Sequence, residues 1–220
     1  MASSTVEDYL KRINLEGGSA SGDLVPMGRL ARVMEVVPGT VTAMVKSLVG
    51  SRLVHYEPYA GVRLTRTGQK LALRIVRRHR VIELFLVEAL GLDWSEVHEE
   101  AERLEHAVSE RLVQKMDDFL GRPGFDPHGD PIPKADGSVE SRELARLADQ
   151  DKGARCRVAR VEDQSPAFLR AVEQLGLAPG AAVRVQRRDD AAGTIDLKLG
   201  ARRTVTVAEK VAHRLLVELV

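Results

Sequence analysis

Imidazole and carboxylate side chains recur at helical spacing in the middle of the sequence. His79 and Glu83 lie four residues apart and therefore share one face of a helix predicted from about residue 67 to residue 90. A second helix is predicted from about residue 94 to residue 119, and one of its faces carries four more such side chains: His98, Glu102, Glu105 and His106. Three imidazoles and three carboxylates on two facing helices form the donor set of a divalent-metal site. The alternative is an acidic helix face in water, because glutamate is a good helix former.

The common catalytic patterns are missing from the sequence. The segment His98-Glu99-Glu100-Ala101-Glu102 has a carboxylate where the zinc-protease pattern His-Glu-x-x-His needs its second histidine. The sequence also has no phosphate-binding glycine loop and no Gly-x-Ser-x-Gly nucleophile. We therefore predict that the protein is not an enzyme. A single cysteine, Cys156, excludes an internal disulfide framework and a zinc cluster built on cysteines within one chain.

The near-neutral charge of the chain hides three differently charged segments. The 220 residues include 33 lysines and arginines and 32 aspartates and glutamates, for a formal charge of +1. Residues 1–80 sum to +7, residues 81–150 to −10 and residues 151–220 to +4. A basic head favours a polyanionic partner, and an acidic middle favours cation ligands or a solvated face. No apolar run approaches the roughly 18 residues of a membrane span and no signal peptide is visible, so we predict a cytoplasmic protein without a membrane partner.

The basic head is predicted to fold as a winged helix-turn-helix. A first helix begins with the capping-box pattern Ser4-x-x-Glu7. Its apolar positions are Val6, Tyr9, Leu10 and Ile13. Two short helices follow, broken at Pro38-Gly39, and a strand hairpin turns around residues 58–61. In this motif the third helix enters the DNA major groove and the hairpin contacts the backbone. The predicted DNA contacts are Thr40, Thr42, Ala43, Lys46, Arg63 and Arg66.

The order of these motifs resembles a known repressor family. His79-Arg80-x-x-Glu83 is followed by Val97-His98-x-Glu100-Ala101-Glu102-x-x-Glu105-His106 and then by Gly129-Asp130-Pro131-Ile132-Pro133. Over residues 4–135 the chain resembles the metal-dependent repressors of the diphtheria toxin repressor and manganese transport regulator family. The resemblance implies a cytoplasmic homodimer that binds palindromic operators when it holds Fe(II) or Mn(II) and shuts down metal-uptake genes. It also implies that the second helix, with Val97, Leu104 and Val108, helps to build the dimer interface.

The same resemblance implies two metal sites per chain. The positions that match the family's primary site are Asp8, Glu102, Glu105 and His106, and those that match its ancillary site are His79, Glu83 and His98. In the iron-type relatives the positions of Asp8 and Glu102 hold methionine and cysteine, whereas the manganese-type relatives have carboxylates there. Hard oxygen ligands suit Mn(II), so we predict Mn(II) as the metal, with Fe(II) as the alternative.

One position departs from the manganese-type pattern. Short manganese regulators have a further glutamate three positions after the aspartate, and this chain has Lys11 there. The resemblance therefore does not imply a paired-metal arrangement. Lys11 is expected to be a solvated helix residue, with a phosphate contact as the alternative.

The C-terminal segment is predicted to be a separate β module. Residues 121–153 are rich in proline, glycine and charge, and His128 is expected to serve this loop rather than a metal. Strands are predicted at residues 155–161, 182–187, 194–199 and 204–207, with a short helix at 167–175. This pattern resembles the small SH3-like barrel of the longer repressors, with Cys156 in a buried strand.

The chain is therefore predicted to be mainly α with small β parts, in three domains. A winged helix-turn-helix DNA-binding domain covers residues 1–72, a helical dimerisation and metal-binding domain residues 73–140, and an SH3-like (FeoA-like) β-barrel domain residues 150–220. The predicted function is a Mn(II)-dependent transcriptional repressor that binds double-stranded operator DNA as a homodimer. Two other functions stay open: a DNA-binding regulator without metal input, and a metal-storage protein or metalloenzyme with an incidental basic head.

Overall fold

The computed structural model describes residues 3–17, 23–200 and 203–220, which form two compact units. The first unit contains the described residues of Met1–His79 together with Glu105–Ala107 and Pro133–Val139. The second contains the described residues of Arg80–Leu104, Val108–Ile132 and Glu140–Val220.

Short helices and a hairpin build the first unit. Its helices are α1 (Ser4–Gly17), α2 (Met27–Val33) and α3 (Pro38–Gly50), and its hairpin joins β1 (Val54–Glu57) to β2 (Gly61–Leu64). Pro38 begins α3, where its missing N–H costs no hydrogen bond. The predicted apolar positions Tyr9 and Ile13 of α1 are buried in one core with Val41 and Val45 of α3. The predicted winged helix-turn-helix is confirmed.

The hairpin is anchored to the segment that precedes α2. Val25 and Val62 exchange two backbone hydrogen bonds, of 2.8 and 2.9 Å. A Cβ atom at Gly61, whose φ is +148°, would lie 2.4 Å from the carbonyl oxygen of Val25, so this position requires glycine. The wing is therefore held in place by backbone contacts of the same unit.

The start of α1 differs from the predicted capping box. Ser3, rather than Ser4, caps the helix, because its Oγ accepts the backbone N–H of Val6 at 3.4 Å. The carboxylate of Glu7 does not return to the helix start. Its Oε2 lies 2.9 Å from Nδ1 of His106, so the predicted pairing of Ser4 with Glu7 is wrong.

The long helix is confirmed, and the one after it is broken. α4 (Arg66–Glu88) agrees with the helix predicted from about residue 67 to residue 90 and contributes residues to both units. The single helix predicted from about residue 94 to residue 119 is wrong, because the chain forms α5 (Val97–Leu104) and α6 (Glu110–Phe119) instead. Residues 105–107 form a turn, and Ser109 starts α6 by accepting the backbone N–H of Leu112 at 3.3 Å.

Val97 packs inside the second unit. Its side chain is 0% exposed and lies in a cluster with Ile82, Leu86 and Ala101. It has no surface left for a partner chain, so the prediction that Val97 contributes to a dimer interface is wrong. Large apolar side chains that do stay exposed in this unit are Leu90, Leu112, Phe119, Leu219 and Val220.

An antiparallel sheet forms the C-terminal part of the second unit. In the described residues its strands are β3 (Ala145–Arg146), β4 (Arg155–Val161), β5 (Ala182–Asp189), β6 (Thr194–Leu199), β7 (Arg203–Ala208) and β8 (Leu215–Leu219), in the order β3-β8-β4-β5-β6-β7. A 3₁₀ turn (Leu147–Asp149) and the helices α7 (Pro166–Leu175) and α8 (Glu209–Ala212) complete it. The predicted β module is confirmed, with Cys156 fully buried in β4, whereas β3 and β8 were not predicted.

No single helix in the described ranges is both long and apolar enough to cross a membrane. Among the described helices, α2 and α3 pass that test as a pair, bent by 108°.

Candidate metal centre

Three side chains from two elements of the first unit converge on one point. Asp8 lies on α1, and Glu105 and His106 lie in the turn that follows α5. Nε2 of His106 is 2.9 Å from Oδ1 of Asp8 and 3.5 Å from Oε1 of Glu105. One ligand atom from each residue lies within 4.8 Å of the other two. Two carboxylate oxygens and one imidazole nitrogen suit Mn(II) or Fe(II), so these side chains fit a divalent transition metal.

The ring of His106 is oriented by a carboxylate on its other side. Nδ1 of His106 lies 2.9 Å from Oε2 of Glu7, one position before Asp8 on α1. When Nδ1 donates its hydrogen to Glu7, Nε2 turns its lone pair toward Asp8 and Glu105. A carboxylate behind a ligating imidazole fixes the tautomer and raises the basicity of the ring. Arg78 supports the same turn by donating to the backbone carbonyl of Glu105 at 2.8 Å.

Glu105 is 0% exposed and is held by Lys11. Nζ of Lys11 lies 2.9 Å from Oε2 and 3.0 Å from Oε1 of Glu105. Nδ1 of His79 lies 2.6 Å from Oε2 of Glu105 and 3.0 Å from Nζ of Lys11. A ring nitrogen carries either a hydrogen or a lone pair, so Nδ1 serves one of these two partners at a time. Lys11 is only 3% exposed, and the prediction of a solvated lysine is therefore wrong.

These contacts shift two pKa values in opposite directions. Burial by itself would raise the pKa of Glu105, but the hydrogen bond from His79 and the charge of Lys11 outweigh it and hold the pKa below its ordinary value. Burial by itself would lower the pKa of His106, but the hydrogen bond to Glu7 and the charges of Asp8 and Glu105 outweigh it and raise the pKa. A cation therefore meets an ionised carboxylate at Glu105 and has to compete with a proton at His106.

A second group of donors lies in the second unit around Glu83. This carboxylate is buried on α4, and its Oε1 is 3.0 Å from Nδ1 of His98 on α5. Nε2 of His98 is 3.6 Å from Oε1 of Glu102, one turn further along the same helix. Oε2 of Glu83 is 3.9 Å from Nδ1 of His128. Glu83 therefore lies between two imidazoles of its own unit.

Asp126 and His128 complete a buried cluster with Glu83. One ligand atom from each residue lies within 4.8 Å of the other two. Nε2 of His128 donates to the backbone carbonyl of Trp94 at 2.9 Å, and Nδ1 is buried without a hydrogen-bond partner among the described residues. Burial raises the pKa of Asp126 well above its ordinary value, and the carboxylates of Asp130 and Glu83 raise it further. A bound cation would stabilise such an unpartnered nitrogen beside buried carboxylates.

The predicted metal ligands are divided between the two units. The first unit brings together Asp8, Glu105 and His106, and it also holds His79 against Lys11. The second unit brings together Glu83, His98 and Glu102. The assignment of all seven residues as metal ligands stays a prediction.

α3 exposes most of the predicted DNA-contact positions. Thr40, Ala43 and Lys46 are exposed on this helix. The hydroxyl of Thr42 donates to the backbone carbonyl of Pro38 at 2.9 Å, so its hydrogen is already used inside the helix. Thr42 can therefore act toward a base only as an acceptor.

The two predicted arginine contacts lie in and after the wing. The guanidinium of Arg63 is 3.1 Å from a carboxylate oxygen of Glu57 on the paired strand. Arg66 is exposed at the first position of α4. A phosphate contact by Arg63 would therefore compete with Glu57.

Family models match consecutive parts of the chain. Residues 1–62 match the iron dependent repressor N-terminal DNA binding domain, residues 65–134 the iron dependent repressor metal binding and dimerisation domain, and residues 145–219 the FeoA domain. The iron-dependent repressor IdeR of Mycobacterium leprae is 30% identical over 228 residues, which cover 97% of this chain and 96% of that relative. The chain belongs to the diphtheria toxin repressor family of metal-dependent transcriptional repressors.

Manganese regulators of this family are also similar to the repressor. The regulator MntR of Shouchella clausii is 33% identical over 123 residues, which cover 54% of this chain and 82% of that relative. A solved manganese-dependent transcriptional repressor in complex with manganese has a TM-score of 0.86 and 38% identity, covering 98% of this chain and 100% of that one. The apo form of the manganese-activated repressor ScaR has a TM-score of 0.76 and 33% identity, covering 97% and 100%. These relatives are repressors, in agreement with the prediction that the protein is not an enzyme.

Several residues in and around the candidate metal sites were not predicted as part of them: Glu7, Lys11, Asp126 and His128. A signal for the first two was present in the sequence, because Lys11 follows Asp8 at helical spacing and Glu7 precedes it directly. For Asp126 and His128 the sequence offers no periodic signal, since both lie in an irregular loop.

Proposed function

We propose that this repressor responds to Mn(II), binds palindromic operator DNA as a homodimer in the cytoplasm and controls metal-uptake genes. The observation that supports manganese most directly is the convergence of Asp8, Glu105 and His106, a group of oxygen and nitrogen donors without sulfur. Hard oxygen ligands suit Mn(II) better than the softer ions. Fe(II) is the alternative metal, supported by the similarity to iron-dependent repressors.

Two metal sites per chain are part of this proposal. Asp8, Glu105 and His106 would hold the primary metal, and Glu83 would hold a second one with His98 or with the buried pair Asp126 and His128. A divalent cation at either site supplies the positive charge that offsets the clustered carboxylates.

α1 connects the primary donors to the recognition helix within one unit. Asp8 lies beside Glu105 and His106, while Tyr9 and Ile13 lie in one core with residues of α3. When Asp8 is drawn to the turn at Glu105, both sides of α1 become fixed, and the position of α3 becomes fixed with them. The expected effect of metal on DNA affinity is about 5- to 150-fold, the usual range for two coupled sites.

Exposed apolar side chains on α6 support assembly with a second copy of the chain. Leu112 and Phe119 are seven residues apart and therefore lie on one face of the helix. Phe119 is 71% exposed, and exposed apolar patches mark interaction surfaces. A two-fold dimer would present two copies of α3 to the two half-sites of a palindrome.

The proposal is tested by selecting duplexes from a random DNA pool in the presence of Mn(II). Gel retardation of the selected duplex is then measured with Mn(II), with Fe(II) under anaerobic conditions and with chelator. We expect tight binding with Mn(II) and weak binding with chelator. Equal affinity under all conditions would instead support a DNA-binding regulator without metal input.

The choice of metal is tested by two substitutions of Asp8. Asp8→Met replaces an oxygen donor with a thioether, whereas Asp8→Asn removes the same charge but keeps an oxygen. We expect Asp8→Met to lose affinity for Mn(II) more than for Co(II), and Asp8→Asn to lose affinity for both to a similar extent. Calorimetric titrations measure these affinities. If Asp8→Met lost affinity for Mn(II) and Co(II) to a similar extent, as Asp8→Asn is expected to, ligand softness would not set the choice of metal.

A further inference from the structure

Lys11 lies inside the first unit among the groups of the primary metal site. Its ammonium has three N–H donors, and both carboxylate oxygens of Glu105 lie within 3.0 Å of Nζ. Nδ1 of His79, which donates to Glu105, lies 3.0 Å from the same Nζ. Both Lys11 and Glu105 are buried, so each offsets part of the cost of burying the other's charge. The charge of Glu105 is therefore already balanced by a residue of the chain itself.

The same carboxylate is required by the metal. Oε1 of Glu105, which Nζ of Lys11 approaches to 3.0 Å, is also the oxygen that lies 3.5 Å from Nε2 of His106. The ammonium thus holds the oxygen that faces the other donors. A divalent cation bound to this oxygen would lie close to the ammonium, and the two positive charges would repel strongly in a buried site.

We propose that Lys11 is an internal counter-ion of Glu105 that a divalent metal must displace, and that this exchange lowers the metal affinity of the primary site. The inference rests on the proposed function, because it assumes that Asp8, Glu105 and His106 bind a metal. The flexible side chain of Lys11 allows the ammonium to leave Glu105 without movement of α1. Lys11 is thereby a determinant of the metal concentration at which the repressor responds.

If Lys11 instead helped the metal to bind, replacing it would change the metal affinity in the opposite direction. If Lys11 only oriented Glu105 for the metal and remained in place, its removal would weaken metal binding. Lys11→Met is the variant that separates the two roles, because it keeps the length and apolar stem of the side chain and removes its charge. Lys70→Met is the matched control, since Lys70 is an exposed lysine of the first unit on α4.

Calorimetric titration with Mn(II) provides the first test. We expect Lys11→Met to bind Mn(II) about tenfold or more tightly than the wild type, and Lys70→Met to bind it like the wild type. Lys11→Gln, which keeps an N–H donor for Glu105, is expected to gain affinity as well and replaces Lys11→Met if that variant does not fold. Unchanged or weaker Mn(II) binding by the folded Lys11 variants would overturn the inference.

A second measurement uses the wild-type chain and does not depend on a variant's folding. The side-chain ¹H–¹⁵N signal of the buried Lys11 ammonium is followed during titration with the diamagnetic ion Cd(II). We expect the signal to disappear as the ammonium moves into solvent, and an unchanged signal at saturating Cd(II) would contradict the displacement. Failure of the wild type to bind Mn(II) or Cd(II) at all would instead refute the proposed metal site.

Discussion

Glu105 combines two properties that conflict in most side chains. It is fully buried, so its charge needs a partner, and in the proposed site it is also a ligand that a metal would reach only by sharing or replacing that partner. His106, the neighbouring candidate ligand, is less buried and lies 2.9 Å from the carboxylates of both Glu7 and Asp8. The two donors therefore differ in how much the metal-free fold depends on them.

Alanine substitutions should reveal this difference. Glu105→Ala is expected to destabilise the metal-free protein by about 3–5 kcal/mol, because Lys11 would keep a buried charge without its carboxylate. His106→Ala is expected to cost no more than about 1–2 kcal/mol. Urea unfolding in chelator measures both free energies of unfolding. Equal costs would contradict the role of Glu105 as the partner of Lys11.

The raised pKa of Asp126 predicts a pH dependence. The native protein keeps a proton on Asp126 that the unfolded chain releases, so stability falls as pH rises from the ordinary aspartate pKa to the raised one. Asp126→Asn keeps an oxygen for the backbone N–H groups of His128 and Asp130 but cannot ionise. We expect the metal-free wild type to lose stability relative to Asp126→Asn as the pH rises above the ordinary aspartate pKa of about 4. Urea unfolding at several pH values measures both free energies of unfolding. If the two proteins changed with pH in the same way, Asp126 would ionise normally.

Residue types and spacing located the donors, but not the partners that tune them. Glu105 and His106 were predicted from helical spacing and Asp8 from the family resemblance, and the three converge in the first unit. The side chain of Lys11 was expected to be exposed to solvent, because a lysine on a helix usually is. It is buried because α1 packs beside Glu105. Tertiary contacts of this kind have no signature in a single sequence.

At the scale of elements, the break after α5 determines the shape of the primary site. A continuous helix would have kept Glu105 and His106 on the stripe of His98 and Glu102. The chain instead leaves the helix after Leu104, and residues 105–107 belong to the first unit. The periodic pattern predicted helix correctly on both sides, but it does not report a short turn between two helical segments.

Elements with strong local signals were predicted closely. The strand at residues 194–199 and the hairpin around residues 58–61 are found where alternation and turn residues predicted them. β3 was missed because it has only two residues, and β8 because its sequence Leu-Leu-Val-Glu-Leu does not alternate cleanly. Short or fully apolar strands form through pairing with their neighbours rather than through local pattern.

The exposure of Lys46 on α3 leads to a prediction about DNA. Lys46→Ala should weaken binding to every duplex and reduce the slope of log affinity against log salt by about 1, because one phosphate contact is lost. Lys210→Ala, an exposed lysine of the second unit, is the charge-matched control and should leave the slope unchanged. Fluorescence anisotropy at several salt concentrations measures both. An unchanged slope in Lys46→Ala would remove this lysine from the interface.

For the molecule as a whole, charge segregates with function. The basic first 80 residues include the recognition helix and the wing, while the strongly acidic residues 81–150 include the candidate metal ligands Glu83, Glu102, Glu105 and Asp126. Glu105 and His106 belong to the first unit although they come from the acidic stretch of sequence. A cation bound there would act inside the unit that carries α3.

In the proposed mechanism this arrangement couples metal binding to DNA binding in one equilibrium. Asp8 and the apolar residues of α1 belong to the same rigid helix, so a factor that fixes one also fixes the other. Thermodynamic linkage then requires equal effects in both directions: DNA must increase the affinity for Mn(II) by the same factor by which Mn(II) increases the affinity for DNA.

The most direct test is therefore the affinity for Mn(II) measured with and without the selected duplex at one fixed salt concentration. We predict that the duplex raises the Mn(II) affinity by about 5- to 150-fold, equal to the gain in DNA affinity that Mn(II) produces. His106→Ala should abolish both gains together. A Mn(II) affinity that does not change when the duplex is added would contradict the account.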